Sequence, residues 1–284
     1  MTVRYLITGA GGMLGHDLVA AFAGRDVTAL RRADLDLNDA GAVRRATAGH
    51  DVIINAAAHT RVDDAEAEED DARRVNADAA GNLARAAAEA GAVMVQVSTD
   101  YVFDGTATTP YPEHTPRNPV SAYGRTKAEG ERLVELLSPR HYIVRTAWLY
   151  GANGPNFASK MLRLASQRDE VGVITNQIGQ PTWTLDLARG IVDLLDANAP
   201  FGIYHGTNAG QASWFDFARA VFSNTGLDPD RVRPIVSSAF RRVAQRPAYS
   251  VLGHDVWGSA GLRPLRNWDE ALADAMRRGV VEHA

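Results

Sequence analysis

Tyr123 and Lys127 stand four residues apart in YGRTK, inside a stretch from Ser121 to Leu137 whose spacing predicts a long helix. Residues at i and i+4 share a helix face, so the phenol and the ammonium are neighbours. A phenol titrates near pH 10 and is a poor acid–base group at neutrality. A cation beside it stabilises the phenolate and draws that value down. Such a pair suits proton transfer to or from a carbonyl or alcohol oxygen. Tyr-x-x-x-Lys is common by chance, and a packed tyrosine on an amphipathic helix is its plain alternative. Ser98-Thr99-Asp100 shifts the balance. These residues close an apolar run, Ala92 to Ser98, that reads as a strand, and a hydroxyl at a strand tip can bind the same oxygen.

The third element is the turn Thr8-Gly9-Ala10-Gly11-Gly12-Met13-Leu14-Gly15, with glycines at 9, 12 and 15. It follows an apolar run, Val3 to Thr8, and opens an amphipathic stretch that reaches about Ala23. Without Cβ atoms the backbone can turn tightly and bring a helix N-terminus against a pyrophosphate. No Gly-Lys-Ser/Thr follows, so the P-loop pattern is excluded. A flexible β–α turn is the alternative, but the flanking strand and helix favour a dinucleotide. Arg31 and Arg32 come directly after a second strand, Val27 to Leu30, where they could pair with a 2′-phosphate. That predicts a modest preference for NADPH, with NADH also usable. Asp34 and Asp36 close behind oppose it, because an acid in this region holds the free 2′-hydroxyl of NAD.

The elements that must position these groups alternate. Strands are expected at Val52 to Asn55 and His141 to Thr146, with one Ala-rich helix from about Asp70 to Ala90. From Ala152 the chain changes character, with interleaved Gly, Pro and Asn. Short strands are expected at Val171 to Thr175, Phe201 to Thr207 and Val232 to Val236. Helices are expected at Asp186 to Asp196, Trp214 to Asn224 and Trp268 to Arg277. The fold class is therefore α/β: a Rossmann-type doubly wound parallel sheet with a smaller C-terminal substrate lobe. Residues 1–147 form the dinucleotide-binding domain, with 176–207 returning to it, and 148–175 with 208–284 form the lobe.

Composition narrows the field. The 284 residues carry a formal net charge of −4, which disfavours a nucleic-acid partner. Cysteine is absent, so disulfide scaffolds and thiolate chemistry are excluded. No charged leader with an apolar segment precedes the first strand, and no apolar run approaches the ~18 residues of a membrane span. A cytoplasmic protein without membrane or nucleic-acid partners is expected.

Together TGAGGMLG, NAAAHT (Asn55 to Thr60), VSTDYVFDG (Val97 to Gly105), YGRTK and RTAWLYG (Arg145 to Gly151) resemble the extended short-chain dehydrogenase/reductases. More narrowly they are similar to the dTDP-4-dehydrorhamnose reductases. The similarity continues through NFASKMLRLA (Asn156 to Ala165), GQPTW (Gly179 to Trp183) and RPAYSVL (Arg246 to Leu252), nearly the whole chain. The resemblance implies NADPH-dependent reduction of the 4-keto group of dTDP-4-dehydro-6-deoxy-L-mannose to dTDP-L-rhamnose. It makes Thr99, Tyr123 and Lys127 the catalytic set. It lays Gly12, Met13 and Leu14 along the pyrophosphate, Asp36 and Leu37 near the adenine, and Ala58, His59 and Thr60 along the cofactor. Thr99, Asp100, Tyr123 and Trp148 face the sugar. Read without it, Trp148 is a core aromatic, His59 a loop residue and Asp100 a cap.

The implied diphosphate needs positive partners, and Arg246, with Arg241 and Arg242 nearby, is a candidate on charge alone. Some relatives are dimers bridged by magnesium held on carboxylates. Asp17 matches one such position, but Leu185 stands at another and has no ligand atom, so no metal is expected while a homodimer stays open. Two other readings remain: an epimerase or dehydratase with retained NAD on the same scaffold, and a non-catalytic dinucleotide-binding regulatory subunit.

Overall fold

The computed structural model describes residues 2–239 and 242–280. Five apolar runs of the first half form β1 (Arg4–Thr8), β2 (Asp26–Leu30), β3 (Val52–Asn55), β4 (Val93–Thr99) and β5 (His141–Thr146). The short strands β6 (Leu149–Tyr150), β7 (Val171–Ile174), β8 (Ile178–Gly179) and β9 (Thr182–Trp183) precede β10 (Gly202–His205), which returns to the main sheet. The order is β2-β1-β3-β4-β5-β10, and every neighbouring pair is parallel. A parallel sheet needs cover on both faces.

Alternation along the strands supplies two apolar faces. Leu6, Ile53, Met94 and Ile143 pack on one side with Val43 of α2 (Ala40–Thr47) and Ala80, Leu83, Ala84 and Ala87 of α4 (Ala79–Ala90). Tyr5, Ile7, Ile54, Val95, Tyr142 and Val144 pack on the other. There they meet Leu14 and Leu18 of α1 (Met13–Ala21), and Leu187, Ile191 and Leu194 of α7 (Thr184–Asp196). This is the doubly wound sheet expected.

A separate apolar cluster gathers Tyr150, Met161, Leu162, Trp183, Phe217, Phe222 and Leu272. It is built from β6, β9, α6 (Phe157–Ala165), α8 (Trp214–Asn224) and α9 (Trp268–Arg277). Period counting passes over α2 and α6, yet both carry cap signals. The Asp39 carboxylate accepts from Ala42 N at 3.0 Å, and Asn156 with Ser159 forms a capping box.

The single helix expected from 70 to 90 is three pieces: α3 (Glu69–Arg73), a widened π-type turn (Arg74–Asp78) and α4. The cause is tertiary. α5 (Ala122–Leu137) presses on this turn so closely that a Cβ on Gly130 would stand 2.1 Å from the Asn76 carbonyl oxygen. Among the described residues no helix is long and apolar enough to cross a membrane.

Candidate active site

The sheet order changes direction between β1 and β3, and open α/β sheets bind ligands at the carboxyl edge of such a point. Gly9 has φ +73°, and a Cβ there would lie 2.5 Å from Ala57 N, on the chain leaving β3. A Cβ on Gly15 would lie 2.2 Å from the Gly9 carbonyl oxygen. Only glycine lets the first turn, the first helix and the exit of β3 meet this tightly. Gly12 stands at the N-cap with no capping side chain, and the first turn of α1 carries no acid. The N–H groups that open at Met13 and Leu14 are thus left for an external anion, where the helix dipole also favours negative charge.

Ala58, His59 and Thr60 follow β3 on the far side of this turn. Asn76 holds the loop, accepting from His59 N at 2.9 Å and donating to His59 O at 3.1 Å and to Thr126 Oγ1 on α5 at 3.1 Å. Both ring nitrogens of His59 are buried without a partner. A ring donor and a ring acceptor left without partners beside a glycine cradle fit a dinucleotide, whose hydroxyl and phosphate oxygens would satisfy them. The exposed Arg31 runs its stem past the turn, 3.5 Å from the place of a Gly11 Cβ. Asp34 accepts from Arg31 N at 2.8 Å and Asp36 from Asn38 N at 2.9 Å, so both acids are engaged in local turns. Leu37 is half-buried against the α4 side of the core.

Thr99 ends β4 directly beside Thr146 of β5. Its Oγ1 donates to Asp100 Oδ1 at 2.9 Å and accepts from Tyr101 N at 3.2 Å. Ser121 caps α5, accepting from Gly124 N at 3.1 Å. A Cβ on Gly124 would stand 2.2 Å from the Tyr101 carbonyl oxygen, so glycine lets the first turn of α5 close on the segment after β4. That contact brings the Tyr123 phenol close to the Thr99 hydroxyl. The Tyr101 ring meets Tyr123 edge-on at 5.6 Å. Lys127, one turn on, is buried, and its Nζ donates to Val97 O at 2.7 Å.

The electrostatics depart from the expectation of a lysine-lowered phenol. Burial pushes Tyr123 up to about 12, with the Thr99 hydroxyl opposing and Asp100 reinforcing. Burial lowers Lys127 to about 8 against the pull of Glu131. Asp100 rises to about 6 through burial, opposed by the Ser250 and Thr99 hydroxyls. Desolvation dominates at the phenol, and the Lys127 ammonium spends one of its hydrogens on the Val97 carbonyl. The phenol therefore stays protonated at neutral pH, as a proton donor must.

Beyond β5 the chain turns sharply. Trp148 has φ +46°, and its indole stacks on Trp214 at 3.5 Å, 8° from parallel. A Cβ on Gly179 would enter the same ring at 2.5 Å. Left-handed backbone at a bulky residue costs about 1–3 kcal/mol and persists only where the surroundings enforce it. A cavity of about 1440 Å³ opens beside this stack, lined by Tyr101, Phe157, Lys160, Trp214 and Arg246 among others. Arg246 is not free: it donates to Asp63 Oδ2 at 2.9 Å and to Ala244 O at 3.3 Å, and lies 6.0 Å from the Tyr101 ring centre. Arg242 approaches Asp63 at 3.9 Å; Arg241 lies outside the described residues. Asp17 accepts from the Thr184 hydroxyl, and among the described residues no three His, Asp or Glu side chains gather as a metal set.

Sequence reading missed Tyr101, Asn76, Asp63 and Trp214. Tyr101 had a local signal, since it follows Thr99-Asp100 directly. The other three owe their positions to contacts across 17 to 183 residues.

Comparison with known proteins agrees with this geometry. Residues 3–280 match the family described as the RmlD substrate binding domain. The chain is 50% identical over 281 residues to a dTDP-4-dehydrorhamnose reductase of Streptomyces griseus, covering 96% of this chain and 92% of the relative. It is 49% identical over 280 residues to a dTDP-4-keto-6-deoxy-D-glucose reductase of Streptomyces niveus, covering 97% of each. Among solved structures, the dTDP-4-dehydrorhamnose reductase of Bacillus anthracis in complex with NADP superposes with a TM-score of 0.94 at 36% identity, covering 98% of this chain and 100% of that one. With its glycine turn, its Thr99–Tyr123 pair and a match over nearly its full length, this chain belongs to the RmlD substrate binding domain family.

Proposed function

We propose that this protein reduces the 4-keto group of dTDP-4-dehydro-6-deoxy-L-mannose with NADPH, giving dTDP-L-rhamnose. The observation that carries the reading is the convergence of the Tyr123 phenol and the strand-end Thr99 hydroxyl, brought together by the close Gly124–Tyr101 contact, at the sheet edge that also carries the glycine cradle. Bound NADPH supplies the hydride. Thr99 orients the carbonyl oxygen, and Tyr123 gives its proton to the alkoxide as it forms. General acid catalysis of this kind contributes roughly 10²–10⁴-fold. Lys127, held by Val97 O, keeps a positive charge beneath that oxygen and holds the nicotinamide ribose. Met13, Leu14 and the 58–60 loop hold the cofactor, with Gly9, Gly12 and Gly15 admitting it and Arg31 pairing with its 2′-phosphate. Trp148 and Asp100 border the sugar, and Arg246 meets the diphosphate.

In this reading residues 1–147 with 176–207 carry the cofactor, and 148–175 with 208–284 carry the nucleotide sugar. The enzyme works in the cytoplasm on a small molecule, without nucleic acid or membrane. The test is direct. Incubation with NADPH and the keto sugar should consume one NADPH per dTDP-L-rhamnose formed. Conversion of the sugar to an isomer or a dehydrated sugar without net NADPH loss would instead mark an epimerase or dehydratase, and cofactor binding with no turnover a regulatory subunit.

A further inference from the structure

The loop that lines the cofactor site ends at Asp63, the N-cap of a short 3₁₀ turn (Asp64–Glu66). An aspartate there ordinarily accepts from the N–H groups of its own turn. Asp63 makes no such bond. Its carboxylate reaches across to residues 242–246 instead: Oδ1 accepts from Ala244 N at 3.1 Å, Oδ2 accepts from Arg246 at 2.9 Å, and Arg242 stands at 3.9 Å. One side chain thus makes three contacts with a segment about 180 residues away.

That segment forms part of the cavity wall. Lys160, Arg163, Arg168, Arg242 and Arg246 line the cavity, and no carboxylate does so among the described residues. Such a lining suits an anion. The Arg246 side chain is 12% exposed, and its guanidinium lies over the Tyr101 ring, which in turn touches Tyr123. It therefore stands where the anionic part of a substrate would pass on the way to the catalytic phenol. A guanidinium has five N–H donors in a fixed fork. Asp63 and Ala244 O engage two nitrogens, and the donors left over are then fixed in direction.

We propose that Asp63 is a positioning residue for the diphosphate of the nucleotide sugar, holding Arg246 and the 242–246 segment against the cavity from the cofactor loop. The proposal rests on the reading of the substrate given above. Asp63 itself touches neither sugar nor phosphate. It orders the arginines before the anion arrives, so the ordering cost is met on folding rather than on binding.

The test compares Asp63→Ala, Asp63→Asn and Asp63→Glu in the full chain. It measures KM and kcat with the keto sugar, NADPH affinity, and dTDP affinity by calorimetry. For Asp63→Ala, KM and the dTDP Kd should both rise at least tenfold, with kcat and NADPH affinity changing far less. Asp63→Asn should fall between, since it keeps an acceptor for Ala244 N without the charge, and Asp63→Glu should recover most of the loss. Intact NADPH affinity reports that the variants are folded. An unchanged or tighter dTDP Kd in Asp63→Ala would overturn the proposal, because Asp63 would then be a bystander or a competitor of the phosphates. Equal losses of NADPH and dTDP binding would overturn it too, as a general structural defect. A wild type that binds dTDP but reduces no keto sugar, with binding weakened in Asp63→Ala, would remove the functional reading and leave the positioning role standing. A wild type that binds no dTDP would remove both.

Discussion

The two sides of the cleft are built by different means. On the sheet side, the backbone itself sets the geometry. Gly9, Gly15 and Gly124 each sit where a Cβ would fall within 2.5 Å of another backbone atom, so the positions of the cradle and of Tyr123 tolerate almost no adjustment. On the lobe side, side chains do the holding: the Trp148–Trp214 stack, the arginines of the cavity and the Asp63 contacts. A wall of side chains can be refitted by substitution without moving the chain.

The comparison can be broken most sharply at Tyr123. Tyr123→Phe should lower kcat by roughly 10²–10⁴-fold while leaving NADPH affinity nearly intact, as single-turnover and binding measurements would reveal. Near-normal turnover would move the chemistry elsewhere. Next comes Gly15→Ala. Its methyl must displace the Gly9 carbonyl, and overpacking of this kind costs about 1–3 kcal/mol, so NADPH should bind roughly 10- to 100-fold more weakly in a titration, with a lower Tm. Unchanged affinity would show that the sheet side gives way as readily as the lobe.

The pH profile probes Lys127. Its folded value lies below the usual 10.5, at about 8, so the ammonium is complete below that and lost as pH rises through it. In the reducing direction kcat/KM should be level near pH 6.5 to 7, halve by about 8 and fall further above, while Lys127→Arg should remove that fall. A profile level to pH 10 would separate the ammonium from catalysis. On the lobe side, Trp214→Ala removes a stack worth about 0.5–1.5 kcal/mol beyond its area. KM for the sugar should rise several-fold with NADPH affinity unaltered, and Trp214→Phe should restore most of it. The smallest effect belongs to Arg31→Ala. An exposed charged contact worth about 1 kcal/mol would lower the NADPH to NADH ratio of kcat/KM roughly fivefold. An unaltered ratio would release Arg31 from the assignment.

What the sequence displays follows the same division. The glycine turn, the strand-end Thr99 and Tyr123-x-x-x-Lys127 are visible because local backbone demands and one helix period fix them. The six parallel strands follow from apolar runs buried on two faces. Asn76, Asp63 and Trp214 carry no such mark: a half-polar helix, an acid in a loop and an apolar helix start are ordinary until the fold brings their partners near. The depression expected for the Tyr123 phenol failed for a related reason. Spacing shows that a lysine is close, but only the three-dimensional packing shows how little water is left around both groups.

The widened turn at Arg74–Asp78 holds one residue more per coil than its neighbours. Removing a residue there would straighten the rod and give it a uniform pitch. The flanking segments would keep nearly the same mutual orientation, because the wide coil fits one extra residue into about the same rotation, but the side chains within the coil would be re-aimed around the axis. Asn76 could then no longer grip the His59 loop and α5 together. A more regular helix would thus come with a slack cofactor loop, and directed evolution for heat tolerance should leave this irregular coil untouched wherever turnover is also selected.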